Sequence, residues 1–89
     1  MNIRDLITFY RARLDAEEAN LRDFILSLEP NVGTLDLEEL AARRTVLDAY
    51  EQAERYDTER AVGLRYAVQC LAVYHHRHPD YREEYRPGQ

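Results

Sequence analysis

The chain has 89 residues and a mass of 10.5 kDa, which predicts a single domain (1–89) without a deep active-site cavity. A net charge of −5 and a pI near 5.1 argue against broad binding to nucleic acid or to an anionic membrane surface. No apolar run approaches the ~20 residues of a membrane helix, and the opening MNIRDLITFY lacks a signal-peptide layout. The single cysteine, Cys70, cannot form an internal disulfide, so we expect a cytoplasmic protein.

The first predicted element is a helix over about residues 3–28. Asn2 is suited to cap its N-terminus, and apolar residues then recur in steps of four and three, interrupted only by Glu17. Pro30 disfavours helical geometry in the residue before it and therefore ends the helix. No segment alternates with period two, so the fold class we predict is all-α.

The second predicted helix covers about residues 36–56, with Asp36 as its N-cap and Glu39 completing a capping box. The segment 51–60, EQAERYDTER, is compatible with either a turn or a continuous helix. A single helix over 36–77 would be ~63 Å long, whereas a compact chain of this size is about 30 Å across. We therefore expect a break near residue 57 and a three-helix antiparallel bundle. The alternative is a long helical hairpin, which would almost require a dimer.

The third predicted helix, about residues 58–77, is apolar on two sides. One side carries Ala61, Leu64, Val68 and Leu71; the other carries Gly63, Tyr66, Ala67, Cys70 and Tyr74. Gln69 belongs to a narrow polar strip between them. Two other helices cannot cover both sides, so we expect a homodimer, with close approach at Gly63 and Ala67. No basic residue lies one turn from Cys70, which predicts a buried thiol rather than a reactive one.

The C-terminal tail motif (79–89) is predicted to contain a short helical turn over residues 79–85. His78 can cap this turn, and Pro79 suits its first position. Tyr81 and Tyr85, at i and i+4, would then share one face and pack back onto the first or third helix. The competing hypothesis is that the tail is exposed and forms the epitope for a partner.

No grouping in the chain resembles an active site. We find no Ser-His-Asp set, glycine-rich phosphate loop or carboxylate pair in an apolar setting, so neither catalysis nor a cofactor is predicted. His75 and His78 share one helical face and precede the tail carboxylates Asp80, Glu83 and Glu84. Our interpretation is a solvated helix end with no metal bound; the alternative is a metal-binding protein that uses this C-terminal cluster.

Acidic residues cluster along the chain, but arginines lie among them. The pairs Glu39–Arg43 and Glu51–Arg55 have the i,i+4 spacing of ion pairs on a helix. The clusters therefore indicate solvated helix surfaces rather than a mimic of nucleic-acid phosphates. No helix has a basic face of the kind that binds DNA.

The tail sequence at residues 78–87, HPDYREEYRP, resembles the C-terminal motif of a family of small uncharacterised proteins from actinobacteria and their phages. Those proteins end in His-Pro-x-Tyr-Arg-Glu-Glu-aromatic-Arg-Pro after an apolar helix, which residues 64–74 resemble. Residues 40–50 and 3–18 are similar to the family's middle and opening helices. The resemblance implies an all-helical fold and a phage or actinobacterial source. It implies no activity.

The chain departs from the family pattern in two places. The family's Pro- and Trp-containing segment after the first helix is replaced by EPNVGT. Its cysteine-rich loop, which suggests a zinc knuckle, is replaced by EQAERYDTER, which has no cysteine. No zinc site is therefore carried over to this chain.

These observations together predict a small non-enzymatic helical module for protein–protein interaction that modulates a host protein. We expect a homodimer and a protein partner, and neither nucleic acid nor membrane as a partner. The candidate interaction residues are Gly63, Tyr66, Ala67, Cys70, Tyr74, Tyr81 and Tyr85.

Overall fold

The computed structural model describes residues 1–26 and 34–88, and within them the protein is helical without strands. The helices are α1 (Ile3–Leu26), α2 (Thr34–Tyr56) and α3 (Thr58–Ala72), followed by 3-10 turns at Val73–His75 and Glu83–Tyr85. The all-α class is confirmed, and the chain forms three helices rather than the long hairpin.

The N-terminal ends of the first two helices differ in how well they were predicted. Asn2 does cap α1, because its Oδ1 accepts a hydrogen bond of 2.9 Å from the backbone N–H of Arg4. The predicted end of this helix at Leu28 lies outside the described residues. The start of α2 at Thr34 precedes the predicted cap, so Asp36 lies in the first turn, where the helix dipole still favours a carboxylate.

A single residue, Asp57, separates α2 from α3. Its backbone angles of −152° and 89° are not helical, yet its N–H still donates to the Ala53 carbonyl at 2.7 Å. Its side chain accepts a hydrogen bond of 3.2 Å from the Arg60 N–H and thereby caps α3. The predicted break near residue 57 is confirmed. It is one residue long, because Asp57 closes the last turn of α2 with its backbone N–H and caps α3 with its side chain.

Charged side chains connect α1 and α2 along an antiparallel interface. The pairs are Arg4–Glu54, Arg11–Glu51 and Arg44–Asp15. The predicted pair Glu39–Arg43 is present at 2.7 Å, but Glu51 pairs with Arg11 across the interface instead of with Arg55. Since α3 folds back along α2, α1 and α3 run in the same direction.

The core lies where the three helices meet. Its buried side chains include Leu6, Ile7, Phe9, Tyr10, Leu14, Leu40, Leu47, Tyr50, Ala53, Ala61, Val68 and Ala72. The predicted inner stripe of α3 is therefore correct, with Ala61 and Val68 buried and Leu64 and Leu71 packed against the core.

The chain after α3 does not follow the predicted pattern. The α-helix ends at Ala72 rather than at Arg77 and tightens into the 3-10 turn at Val73–His75. Successive i to i+3 hydrogen bonds, such as that from the His78 N–H to the His75 carbonyl at 2.9 Å, then reverse the chain. The predicted helical turn over 79–85 is reduced to the 3-10 turn at Glu83–Tyr85.

Candidate interaction surfaces

The tail packs against α1 through a cluster of aromatic rings centred on Phe9. The ring centroid of Phe9 lies 5.7 Å from that of His78, 5.8 Å from that of Tyr81 and 5.7 Å from that of Tyr85. Tyr85 is only 2% exposed and belongs to the core, while Tyr81 is half-buried. The predicted docking of the tail is thus confirmed. Tyr85 is consequently not a surface interaction residue, since the groove between α1 and α3 already contains it.

Polar contacts connect the same tail to both flanking helices. The side-chain amide of Gln69, on α3, donates hydrogen bonds of 3.3 and 3.5 Å to the backbone carbonyls of Tyr85 and Arg86. Arg82 forms an ion pair of 3.0 Å with Asp5 on α1. The assignment of Gln69 to an exposed polar strip was wrong, because this side chain is buried under the tail.

His75 lies inside this arrangement, not in solvent as predicted. Its side chain is 13% exposed, its Nε2 atom lies 3.3 Å from the Glu17 carboxylate, and its ring packs beside Tyr10. Burial lowers the pKa of His75 below its ordinary value, and the neighbouring Glu17 opposes that shift only in part. His75 is therefore a half-buried group that binds the end of α3 to α1.

His78 is also engaged by protein groups. The Arg13 guanidinium lies 2.5 Å from its Nε2 atom, and the Asp80 N–H lies 3.1 Å from its Nδ1 atom. A neutral imidazole has one acceptor nitrogen, so it can accept only one of these two hydrogen bonds. The guanidinium occupies the Nε2 side of the ring, one of the two nitrogen atoms through which a histidine can bind a metal ion. Within residues 1–26 and 34–88, no group of three or more His, Cys, Asp or Glu is placed to hold a metal ion.

The outer face of α3 is an exposed apolar surface formed by Val62, Gly63, Tyr66 and Cys70 of the helix together with Tyr74 in the 3-10 turn that follows it. Val62, Tyr66 and Tyr74 are 69%, 57% and 75% exposed, and Gly63 and Cys70 are exposed as well. The prediction of a buried Cys70 was wrong, because the helix turns that side of its surface away from α1 and α2. Ala67 lies at the edge of this face and is half-buried.

The outer face has open space at Gly63 and a shallow depression near its C-terminal end. A Cβ atom added at Gly63 would meet no atom within 4 Å, so the close approach predicted there is not made within one copy. A shallow depression of about 440 Å³, lined by Cys70, Val73, Tyr74 and His76, lies at the C-terminal end of the face. The Arg43 guanidinium stacks on one side of the Tyr74 ring, with its carbon 5.6 Å from the ring centroid.

Two residues of these surfaces were not predicted from the sequence. Val62 belongs to the outer face, and its position one turn before Tyr66 was the available signal. Phe9 lies off the predicted stripe of the first helix, and its position one turn after Leu6 was the available signal. Phe9 is buried because the tail, distant in sequence, covers it.

The fold and these surfaces define an all-α protein with a core completed by its own tail and an exposed apolar face on α3. Comparisons of the chain with protein-family models, with curated proteins and with solved structures found no match. The resemblance of residues 78–87 to an actinobacterial and phage family therefore stays a prediction. Among the helices described, none is long and apolar enough to cross a membrane.

Proposed function

We propose that this protein is a small non-enzymatic helical module that binds other proteins through the outer face of α3. The observation that carries the proposal is the exposure of Val62, Tyr66 and Tyr74 along one side of the helix. Tyrosine suits such a role because its ring excludes water over a large area while its hydroxyl group bonds at the rim. Contiguous exposed apolar patches on small folded proteins often mark sites of protein–protein interaction.

The setting we propose is the cytoplasm of an actinobacterium, where the protein comes from the host or from its phage and modulates a host protein. Support comes from the tail motif at residues 78–87 and from an exposed Cys70, which remains a thiol in a reducing compartment. In this proposal the docked tail stabilises the fold and does not bind the partner. The candidate interaction residues that remain are Gly63, Tyr66, Ala67, Cys70 and Tyr74, and Val62 is added to them.

Affinity capture from an actinobacterial lysate tests this function. The baits are the wild-type protein, the double variant Tyr66→Ser/Tyr74→Ser and the control Tyr56→Ser, which changes an exposed tyrosine at the end of α2. We expect the wild type and the control to enrich the same host protein and the double variant to lose it. Equal enrichment by all three baits, or enrichment by none, would contradict the proposal.

A further inference from the structure

We infer that the outer face of α3 binds the same face of a second copy, with the two α3 helices antiparallel and centred on residue 68. The inference rests on the proposed function, since it uses the same surface, and it specifies what covers that surface when no other protein is bound there. Val62, Tyr66 and Cys70 follow one another at i,i+4 spacing along α3, and Tyr74 continues this ridge in the 3-10 turn that follows the helix. Glu59 precedes the ridge, and Arg77 follows it in the turn two residues after His75.

Charge determines the relative direction of the two helices. Glu59 and Arg77 are both exposed, and neither forms an ion pair with another described residue. In a parallel symmetric pair, each residue would face its own equivalent, so Glu59 would lie against Glu59 and Arg77 against Arg77. In the antiparallel pair centred on residue 68, Glu59 of each copy faces Arg77 of the other. The antiparallel arrangement therefore gains two ion pairs where the parallel one has two repulsions.

The same register matches side chains by size along the ridge. It places Val62 opposite Tyr74 of the second copy and Tyr66 opposite Cys70 of the second copy. A thiol sulfur beside an aromatic ring is a favourable contact. Gly63 leaves open space in each copy, so it provides room for the large tyrosine side chains of the other.

The exposed area agrees with a weak dimer. Taking 150–250 Å² for a tyrosine side chain, the outer face presents about 450 Å² in each copy, so pairing buries about 900 Å² in total. Specific interfaces below about 1,200 Å² are characteristic of weak and transient complexes. We therefore expect a dissociation constant in the micromolar range. The core of one copy is complete without the other, because the tail covers the groove between α1 and α3.

Sedimentation equilibrium over the micromolar range tests the use of this face. The average mass of the wild type is expected to rise with concentration from 10.5 kDa toward twice that value. Tyr66→Glu, which places a charge at the centre of the ridge, is expected to keep the monomer mass. The matched control Tyr56→Glu adds the same charge outside the ridge and is expected to behave like the wild type. A wild type that stays at 10.5 kDa, or equal weakening by both substitutions, would overturn the inference.

Charge reversal tests the direction of the helices. Glu59→Arg alone and Arg77→Glu alone are each expected to raise the dissociation constant about threefold to tenfold, because each replaces two ion pairs by two like-charge contacts. The double reversal should return it to within about twofold of the wild-type value, since it restores both pairs. Additive weakening in the double variant would overturn the antiparallel register. A monomeric wild type that still captures a host protein through Tyr66 and Tyr74 would overturn self-pairing alone and leave the proposed function intact.

Discussion

Tyr10 carries its hydroxyl group into the core, where no described residue forms a hydrogen bond with it. The side chain is fully buried, and this burial raises the pKa of Tyr10 to about 12. A buried hydroxyl without a partner lowers stability because its hydration is lost and nothing replaces it. The ring itself contributes to the core and packs beside His75.

We therefore expect Tyr10→Phe to increase the free energy of unfolding at neutral pH by about 1 kcal/mol. Thermal or urea unfolding measures the change. Tyr50→Phe is the matched control, because the Tyr50 hydroxyl interacts with the Glu54 side chain and loss of that interaction should lower stability. A clear loss of stability in Tyr10→Phe would show that the hydroxyl has a partner in solution.

His75 should make stability depend on pH below neutrality. The unfolded ring takes up a proton near pH 6.5, whereas burial lowers the pKa of the folded ring, so the folded ring takes up the proton only at lower pH. In that window the unfolded state binds more protons, and acidification therefore favours unfolding. The contribution of the neutral His75 ring to the free energy of unfolding is complete above pH 6.5. It is lost as the pH falls toward the pKa that His75 has in the folded protein.

The expected result is that wild-type stability falls more steeply than that of His75→Gln between pH 7 and pH 5. Urea unfolding at several pH values measures both slopes. His76→Gln serves as the control, since it makes the same substitution at the neighbouring exposed histidine. Parallel curves for the wild type and His75→Gln would contradict the prediction.

At the scale of secondary-structure elements, the tail packs against α1 and α3 as a fourth element of the fold. Although it contains only a 3-10 turn, it places Tyr85 in the core and covers Phe9 on α1. The ion pair between Arg82 and Asp5 and the hydrogen bonds from Gln69 hold its backbone between α1 and α3. The tail therefore adds to the contacts that α1 and α3 make directly.

Removal of the tail after Arg77 should destabilise the protein strongly. Loss of a buried aromatic side chain typically costs 3–5 kcal/mol, a large part of a total of about 5–15 kcal/mol. Tyr85→Ala alone should reproduce most of the loss, and Glu84→Ala, at an exposed position of the same turn, should have little effect. Thermal melts compare the variants. A truncated chain with an unchanged melt and lost partner binding would identify the tail as an epitope instead.

The whole molecule is thin for its length, with extents of 44 × 30 × 17 Å. Two layers of helix are enough to bury one side of each element, but among residues 1–26 and 34–88 no element lies beyond α3 to cover its outer face. An 89-residue chain has a large surface for its volume. Exposure of Tyr66 and Tyr74 follows from this shape, and a second copy or another protein is needed to bury them.

The whole protein is expected to be indifferent to zinc. His75 faces Glu17, and His78 faces Arg13, so binding a metal ion would break contacts that hold the tail. A native site stabilises by RT ln(1 + [L]/Kd), so stoichiometric zinc should leave the melting temperature nearly unchanged. A rise of several degrees that disappears in His75→Ala would contradict this and favour the metal-binding alternative.

The local features of this protein were determined by its sequence alone. The cap at Asn2 and the inner stripe of α3 were predicted correctly, because each depends on neighbours within a few turns of helix. The break at residue 57 was predicted correctly from the length of the chain, since its local sequence is compatible with a turn or with a helix. The apolar outer face was also predicted, since periodicity shows that α3 has two apolar sides. Periodicity does not show which of them the other helices cover, and this is why Cys70 was expected to be buried.

Only the tertiary structure decided the positions that depend on the tail. The burial of Gln69 and His75 arises from contacts with residues distant in the chain, and no local pattern encodes such contacts. The reversal after Ala72 has the same origin, because a helix continued to Arg77 would carry Tyr85 away from Phe9. The free energy gained by burying the Tyr85 ring exceeds the helix propensity of a few residues. Helix propensity amounts to tenths of a kcal/mol per residue, whereas burial of an aromatic ring contributes several kcal/mol.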